Sequence, residues 1–185
     1  MSEALKNAIL TTARVDGDLV MVDDFLNHRV DPVLMSDIGS WLAERLEPCE
    51  AVVTSEASGI APALTTAAAL GVPMVFAKKR PTPPEGAYTR EVHSPTKGDR
   101  PWLSITPRAL GSFKRVVLVD DFLAAGRTAL ALAEMLRESG CEITRAGFCI
   151  EKSAFGGRDR LEQAGVEVVS AAIIGGIVDG RPTLV

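Results

Sequence analysis

The segment VVLVDDFLAAGRTAL, residues 116–130, decides the fold class. Its four apolar residues followed by Asp120 and Asp121 predict a buried strand, and residues 122–126 predict a turn. A helix follows, with a shared apolar face made of Ala129, Leu132, Ala133 and Leu136. Gly140 closes that helix. The segment is therefore typical of one strand–turn–helix unit of an α/β sheet.

The same order of elements occurs on both sides of this unit. Residues 51–79 predict an apolar strand, a Ser/Gly turn, an Ala-rich helix that ends at Gly71, and a second strand over 73–77. Upstream, residues 31–46 predict a helix capped by Asp31. Downstream, the pattern predicts a strand over 142–150, a short helix over 157–164 and a last strand over 166–174. Strands and helices alternate, which favours an α/β fold with a mainly parallel sheet and helices on both faces.

Composition favours one domain over 1–185 that works on a small molecule. The 185 residues are 46% hydrophobic and 24% charged, which is enough for a sizeable core. A net charge of −4 gives no broad attraction to nucleic acid or membrane, so neither is expected as a partner. The N-terminus does not resemble a signal peptide, so we expect a cytoplasmic protein. Three cysteines without CxxC spacing and two histidines favour reduced thiols and no protein-borne metal site.

Residues 79–101 interrupt the alternation of strands and helices. This stretch contains five prolines and two glycines, and it is too long for an ordinary connection. We expect a flexible lid or hairpin over the site, because long irregular insertions commonly carry function. Lys78, Lys79 and Arg80 lie where this stretch begins and supply the cations that a polyanionic substrate requires.

The turn after Asp121 is suited to an anion. Residues 124–128 are small or polar and open a helix, so free backbone N–H groups, the helix dipole and the Thr128 hydroxyl can together hold a phosphate. Two carboxylates before such a turn indicate a ligand with hydroxyls near a phosphate, such as ribose 5-phosphate. Two alternatives remain open: solvated acids before an ordinary helix, and the paired aspartates of a receiver domain.

The stretch VVLVDDFLAAGRT resembles the phosphoribosyl pyrophosphate (PRPP) motif of type I phosphoribosyltransferases. Five segments occur in the order and approximate spacing of the bacterial xanthine branch: LVMVDDFLNHRVDPVLM, SEASGIAPA, GVPMVFAKK, VDDFLAAGRTAL and IEKSAFGGRD. The resemblance implies the type I phosphoribosyltransferase fold, with a base-binding hood over 1–30 and a lid over 79–101. It also implies transfer of the phosphoribosyl group from PRPP to xanthine, which gives XMP and pyrophosphate.

By this resemblance, each quoted segment has a role. Asp120 and Asp121 would be the catalytic residues that bind the ribose hydroxyls. The residues that would bind the phosphates of PRPP are Ala124, Ala125, Gly126, Arg127, Thr128, Glu56, Ala57, Ser58, Gly59, Lys78 and Lys79. Those that would contact the purine base are Val20, Phe25, Asn27 and Lys152. The lid residues expected to close over the diphosphate are Tyr88, Arg90, Lys97 and Arg100.

The resemblance further implies Mg²⁺ bound mainly through PRPP, and a homodimer. Asp23 and Asp24, in the first copy of VDDFL, are instead expected to be a surface pair. Ala124 departs from the acidic residue that many family members place there, and Arg127 replaces a commoner Gly or Lys, so no general acid or base is identified. Adenine, guanine and hypoxanthine remain alternative bases. A PRPP-sensing transcription regulator remains an alternative class.

Overall fold

The computed structural model describes residues 1–17, 19–46, 48–92 and 101–185. The α-helices in this part of the chain are α1 (Glu3–Thr12), α2 (Pro32–Leu46), α3 (Ile60–Leu70), α4 (Pro107–Leu110), α5 (Arg127–Glu138) and α6 (Gly157–Gln163). The strands are β1 (Arg14–Asp16), β2 (Leu19–Met21), β3 (Ala51–Ser55), β4 (Met74–Arg80), β5 (Tyr88–Glu91), β6 (Trp102–Ile105), β7 (Arg115–Leu123), β8 (Glu142–Lys152), β9 (Glu167–Val178) and β10 (Arg181–Leu184).

Within the described residues, eight strands form one sheet in the order β10-β9-β8-β7-β3-β4-β6-β5. The central strands from β9 to β4 are parallel, whereas β10, β6 and β5 pair antiparallel at the two edges. The mainly parallel sheet predicted from the alternating pattern is confirmed. The chain moves from β3 to β4 in one direction and from β7 to β9 in the other, so the order of strands reverses between β3 and β7. Ligands bind at such a point in α/β sheets.

Helices cover both faces of the sheet. One core layer joins α4, α5 and α6 to the sheet through residues such as Leu110, Leu132 and Leu161. The other layer packs α1, α2 and α3 against the opposite face, with Leu42 and Ala67 among its buried residues. The predicted cap of α2 is present, since the Asp31 carboxylate accepts hydrogen bonds from two backbone N–H groups at 2.9 and 3.1 Å.

Several strands run further than the sequence pattern predicts. β4 was expected to end at residue 77, but it continues to Arg80 because β6 pairs with its charged end. β7 does not end at the aspartates and continues to Leu123, since β8 supplies hydrogen-bond partners on its flank. β9 extends past residue 174 and turns into β10, an edge hairpin that the sequence analysis missed. In each case a neighbouring strand extends the element beyond its apolar run.

The N-terminal region forms a small structure beside the sheet. α1 buries Leu5 and Ile9, and the Ser2 backbone N–H donates to Ala171 O at 2.8 Å. β1 and β2 then form a hairpin, which leads into a π-helical turn over Asp23–Asn27. The first VDDFL copy is therefore not a strand end, although Asp24 is exposed as expected. No described helix has the length and apolarity needed to cross a membrane.

The predicted lid is described only in part. β5 and β6 form an antiparallel pair that extends the sheet beyond β4. Residues 93–100, which include the expected lid cations Lys97 and Arg100, lie outside the described residues.

Candidate active site

A cavity of about 470 Å³ lies at the carboxyl edge of the sheet, where the order of strands reverses. Its lining comes from four separate parts of the chain: the turn after β3, the end of β4, the end of β7 with the following loop, and the turn after β8. The predicted residues in the lining are Glu56, Ser58, Lys79, Asp120, Asp121, Ala124, Ala125, Gly126, Arg127 and Thr128. The fold thus assembles most of the predicted PRPP residues in one place.

Asp120 and Asp121 provide the carboxylates of this cavity. Asp121 lines the cavity and is only 8% exposed. Burial raises the pKa of Asp120 well above its usual value, and the charge of Asp121 raises it further, while Lys79 opposes the shift. The Asp121 backbone N–H donates to Asp120 Oδ1 at 3.0 Å. Two carboxylates held this close, with a cation nearby, are suited to hydroxyl groups and to a positively charged partner.

Residues 124–128, here called the phosphate loop, join β7 to α5. Gly126 occupies the N-cap position of α5 with a φ of 70°, a left-handed conformation that favours glycine. Gly126 has no side chain that could accept a hydrogen bond from the first turn of α5. The backbone N–H groups of that turn are therefore available at the cavity. An uncapped N-terminus on a 12-residue helix is suited to a phosphate.

The turn after β3 approaches the same cavity from the other side. It opens α3 at Gly59, again without a side-chain cap. A Cβ at position 59 would collide with Asp120 Oδ1 and Thr54 Oγ1, so only glycine allows the turn to approach the carboxylates this closely. The Glu56–Ala57 peptide bond is cis. Glu56 and Ser58 of this turn line the cavity, whereas Ala57 and Gly59 are not part of its lining.

The two predicted lysines of β4 lie in different environments. Lys79 lines the cavity, and its backbone N–H donates to Glu56 Oε1 at 2.6 Å. Lys78 lies outside the lining, with its Nζ 5.9 Å from the centroid of the Phe76 ring. Because side chains alternate along a strand, neighbouring lysines on β4 cannot both face one cavity. Both lysines were predicted to bind PRPP, and of the two only Lys79 lines the cavity.

The lid cation Arg90 is engaged elsewhere. Its Nε donates to Glu134 at 3.1 Å and its Nη1 to Glu138 at 2.8 Å, so the guanidinium lies against α5. Arg90 is therefore bound to α5 and is not part of the cavity lining.

A second cavity of about 340 Å³ adjoins the first and is mostly apolar. Val20 from the hood and Lys152 from the end of β8 both line it, as predicted for the base. The remaining lining residues are Ala154, Phe155, Ile174, Gly175, Gly176 and Ile177. Burial lowers the pKa of Lys152, whose Nζ lies 5.0 Å from the centroid of the Phe122 ring. Phe155 lines both cavities and so marks where they meet.

The other two predicted base contacts lie outside this lining. Phe25 is a core residue with 5% exposure, because the π-helical turn directs it inward. The Oδ1 atom of Asn27 is buried without a hydrogen-bond partner among the described residues. Such an atom is costly to leave unsatisfied, but in this structure it is buried and lines neither cavity, so a ligand does not reach it.

Two aromatic residues of the site were missed. Phe122 lies two residues after Asp120, and the period of a strand places both on one face. Phe155 is 56% exposed and lies three residues after Lys152 in a segment already quoted for the resemblance. An aromatic residue three positions after the predicted base contact Lys152 was the only sequence signal for it.

The donor set offers little for a resident metal ion. Among the described residues, no three or more His, Cys, Asp or Glu side chains converge on one point. The Asp120–Asp121 pair nevertheless fits Mg²⁺ held through water and substrate oxygens, because Mg²⁺ usually binds proteins through one or two carboxylates.

Comparisons with known proteins agree with this geometry. A family model described as "Phosphoribosyl transferase domain" matches residues 35–173. The chain is 49% identical to a xanthine phosphoribosyltransferase of Chloroflexus aurantiacus, over 92% of this chain and 82% of that protein. It is 40% identical to a xanthine phosphoribosyltransferase of Bacillus cytotoxicus, over 99% and 95% of the two chains.

Solved structures show the same fold. An adenine phosphoribosyltransferase from Rhodothermus marinus superposes with a TM-score of 0.74 at 22% identity, covering 94% of this chain and all of the other. At that identity the likeness concerns the fold alone, and the sequence relatives carry the family assignment. With the family match over residues 35–173 and the carboxylate pair and phosphate loop at the expected edge of the sheet, the chain belongs to the phosphoribosyltransferase family.

Proposed function

We propose that the protein transfers the 5-phosphoribosyl group of PRPP to xanthine, giving XMP and pyrophosphate in purine salvage. The observation that carries this proposal is the pair of adjoining cavities. One is lined by carboxylates and the uncapped start of α5, and the other is mostly apolar with Lys152 as its cation. Phe155, which lines both, marks the place where C1 of the ribose meets the base.

PRPP fits the first cavity in one orientation. The 5-phosphate lies in the phosphate loop, where N–H groups of α5 and the Thr128 hydroxyl donate to it. Asp120 and Asp121 accept hydrogen bonds from the ribose hydroxyls. The diphosphate then lies toward Glu56, Ser58 and Lys79, whose ammonium offsets its charge.

The second cavity favours an acidic purine. Lys152 has a lowered pKa because of burial, so an anion beside it restores the stability of its charged form. Xanthine is the most acidic of the common purines, which makes it the best match for this cation. Val20 and Phe155 supply apolar contacts to the base.

The reaction is a displacement at C1 of the ribose. A ring nitrogen of the xanthine anion forms a bond to C1 with inversion, while the C1–O bond breaks and its electron pair leaves with the pyrophosphate; because the base reacts as its anion, the product is neutral in the base and no residue has to take a proton. Asp120 and Asp121 would hold Mg²⁺ through water and PRPP oxygens, and the ion would supply positive charge to the leaving group. The chain's own part is to orient the two substrates and to stabilise charge, because Ala124 supplies no acid or base.

The proposal extends to the setting of the enzyme. PRPP and free purines are intracellular metabolites, and Cys141 and Cys149 are buried free thiols, which fits a reducing cytoplasm. Val33 of α2 and Leu64 of α3 are 78% and 55% exposed, and a homodimer would cover such side chains. Light scattering of the purified protein tests the dimer, and a monomeric mass would contradict it.

The test is nucleotide formation from PRPP and Mg²⁺ with xanthine, guanine, hypoxanthine or adenine supplied separately. We expect the highest kcat/KM with xanthine. Lys152→Ala should reduce the kcat/KM for xanthine more than that for hypoxanthine, because it removes the cation next to the more acidic base. A preference for adenine would assign the other branch, and PRPP binding without any product would favour the sensing role.

A further inference from the structure

We propose that Glu151 and Arg158 are positioning residues that fix the phosphate loop by holding α6 against its back. Neither residue lines either cavity, and no role was assigned to them from the sequence. The inference rests on the proposed function, because it takes residues 124–128 as the site of the PRPP phosphate.

Glu151 is buried, the Arg158 side chain is 32% exposed, and both side chains are fully engaged. Arg158 Nε donates to Glu151 Oε1 at 3.0 Å, and its Nη2 donates to Glu151 Oε2 at 2.5 Å. Glu151 is only 3% exposed, and Ser170 Oγ donates to its Oε2 at 2.6 Å. A bidentate pair of this kind fixes orientation as well as distance, since the guanidinium is planar.

Arg158 also ties α6 to the sheet. Its Nη1 donates to Val168 O of β9 at 2.8 Å and to Glu162 of α6 at 3.2 Å. Through Glu151 it is bound to β8 as well. α6 has seven residues, and a helix this short is marginal without tertiary contacts. Its position therefore depends on these bonds.

α6 in turn touches the backbone of the phosphate loop. A Cβ on Gly157 would collide with Ala124 O and would lie 3.0 Å from Gly126 N. A Cβ on Gly126 would lie 3.1 Å from Gly157 O, so the two glycines allow a close approach of both backbones. Arg160 Nη1 donates to Ala125 O from the same helix. α6 therefore packs against the side of the phosphate loop that faces away from the proposed position of the phosphate.

The loop needs such support because it has little of its own. Ala124, Ala125 and Gly126 offer small side chains for packing, and no capping side chain fixes the start of α5. Buried ion pairs often contribute little net stability compared with apolar replacements. Their geometry is more specific than that of apolar contacts, and a phosphate site requires specific geometry.

The experiment compares Arg158→Gln with Arg145→Gln. Arg145 is a matched control, because its Nε also donates to a glutamate, Glu167, at 2.9 Å and its Nη1 to the backbone carbonyl of Arg45. These bonds lie near the N-terminal ends of β8 and β9, away from the cavities. Calorimetry with PRPP and Mg²⁺, without base, measures the loop directly. We expect Arg158→Gln to raise the Kd for PRPP about tenfold or more, since a displacement of about 1 Å can cost up to about 10²-fold. The KM for xanthine should change far less, because Lys152 is fixed by pairing with Ile174.

Two further variants keep the test decisive. Gly157→Ala leaves the ion pair intact but pushes α6 from the loop, so it should also weaken PRPP binding, even if Arg158→Gln does not fold. Arg158→Lys should give an intermediate Kd, because an ammonium cannot bind both carboxylate oxygens in the planar arrangement. If the wild type, the folded Arg158 variants and Gly157→Ala all bind PRPP with the same Kd, the inference about Glu151 and Arg158 is overturned but the proposed function is not. A wild type that binds no PRPP would overturn the proposed function and this inference with it.

Discussion

The pentapeptide VDDFL occurs twice, at residues 22–26 and 119–123, and the two copies have different structures. The first copy enters a π-helical turn, and its Asp24 side chain is 49% exposed and paired with Arg14. The second copy ends a central strand, and its Asp121 is 8% exposed at the edge of a cavity. Identical residues therefore differ in conformation, burial and charge environment.

The neighbours of each copy explain the difference. β2, before the first copy, has three residues and pairs only with β1 among the described strands. β7 lies between β3, which pairs with its residues 116–118, and β8, which pairs with it as far as Leu123. Both copies bury the leucine, Leu26 and Leu123, but the preceding phenylalanine is core in one and cavity lining in the other. Tertiary pairing, rather than the pentapeptide, decides which carboxylates reach a ligand.

The largest expected effect comes from the same substitution in each copy. Asp121→Asn should lower kcat/KM about 10²-fold, because each lost charge-assisted hydrogen bond costs about 1.5–3 kcal/mol. Asp24→Asn should leave kcat/KM nearly unchanged, since Asp24 lies outside both cavities. Steady-state assays of nucleotide formation with circular dichroism as the folding control measure this. Comparable losses in both variants would contradict the assignment of the second copy as the catalytic one.

The phenylalanines give the next largest effect. Phe25→Ala should reduce the free energy of unfolding by about 3–5 kcal/mol, because Phe25 is a core residue. Phe122→Ala should cost less stability, since Phe122 is only partly buried, but it removes the ring beside Lys152 and should raise the KM for the base. Urea unfolding and steady-state kinetics on both variants separate the two roles. If Phe25→Ala instead changed the KM with little loss of stability, the sequence-based assignment of Phe25 to the base would be right.

The fold class and the phosphate loop were predictable because they depend on local signals. Apolar runs, the glycines at turns and the small residues at 124–126 each indicate a structure within a few residues. The ends of the strands were not predictable, since Lys79 faces the cavity only because β6 extends β4 past its apolar run. The burial of Asp121 and Phe25 likewise depends on contacts distant in sequence.

The Glu151–Arg158 pair illustrates the same limit. The two residues are seven positions apart, and a strand end, a 3-10 turn and a helix start lie between them. The segment is not one regular element, so no periodicity of the sequence predicts the pairing. The resemblance named Lys152 in this segment, but it gave no role to the residues that fix the backbone behind the loop.

The next prediction compares Asp120 with Asp24 in the way the stability of the folded protein depends on pH. The pKa of Asp120 is raised in the folded state, chiefly by burial and then by Asp121, so the folded protein holds this proton more tightly than the unfolded chain. Stability is then lost as pH rises from about 3.9, the unfolded value, through the folded pKa. Asp120→Asn avoids this cost and should raise the Tm of the ligand-free protein at about pH 8, with a gain that disappears below about pH 4.

This gain in Tm should accompany a loss of activity, as is common when a strained site is relieved. Thermal unfolding of the wild type and Asp120→Asn across the pH range measures it. Asp24→Asn, in the first copy, is the control and should show no such gain, because Asp24 is exposed and paired with Arg14. A Tm for Asp120→Asn at or below that of the wild type at high pH would mean that Asp120 is not destabilising in the empty site.

The smallest expected effect is the coupling between Arg14 and Asp24 in the first copy. The two groups lie 3.1 Å apart with side-chain exposures of 62% and 49%, so solvent screens their attraction. A double-mutant cycle of Arg14→Gln and Asp24→Asn should give a coupling free energy of about 0.2–1 kcal/mol, and salt should weaken it. A coupling well above that range, or one that salt does not change, would mean that this pair fixes the hood in a way its exposure does not indicate. The two VDDFL copies would then differ in the kind of partner they hold rather than in whether their carboxylates matter.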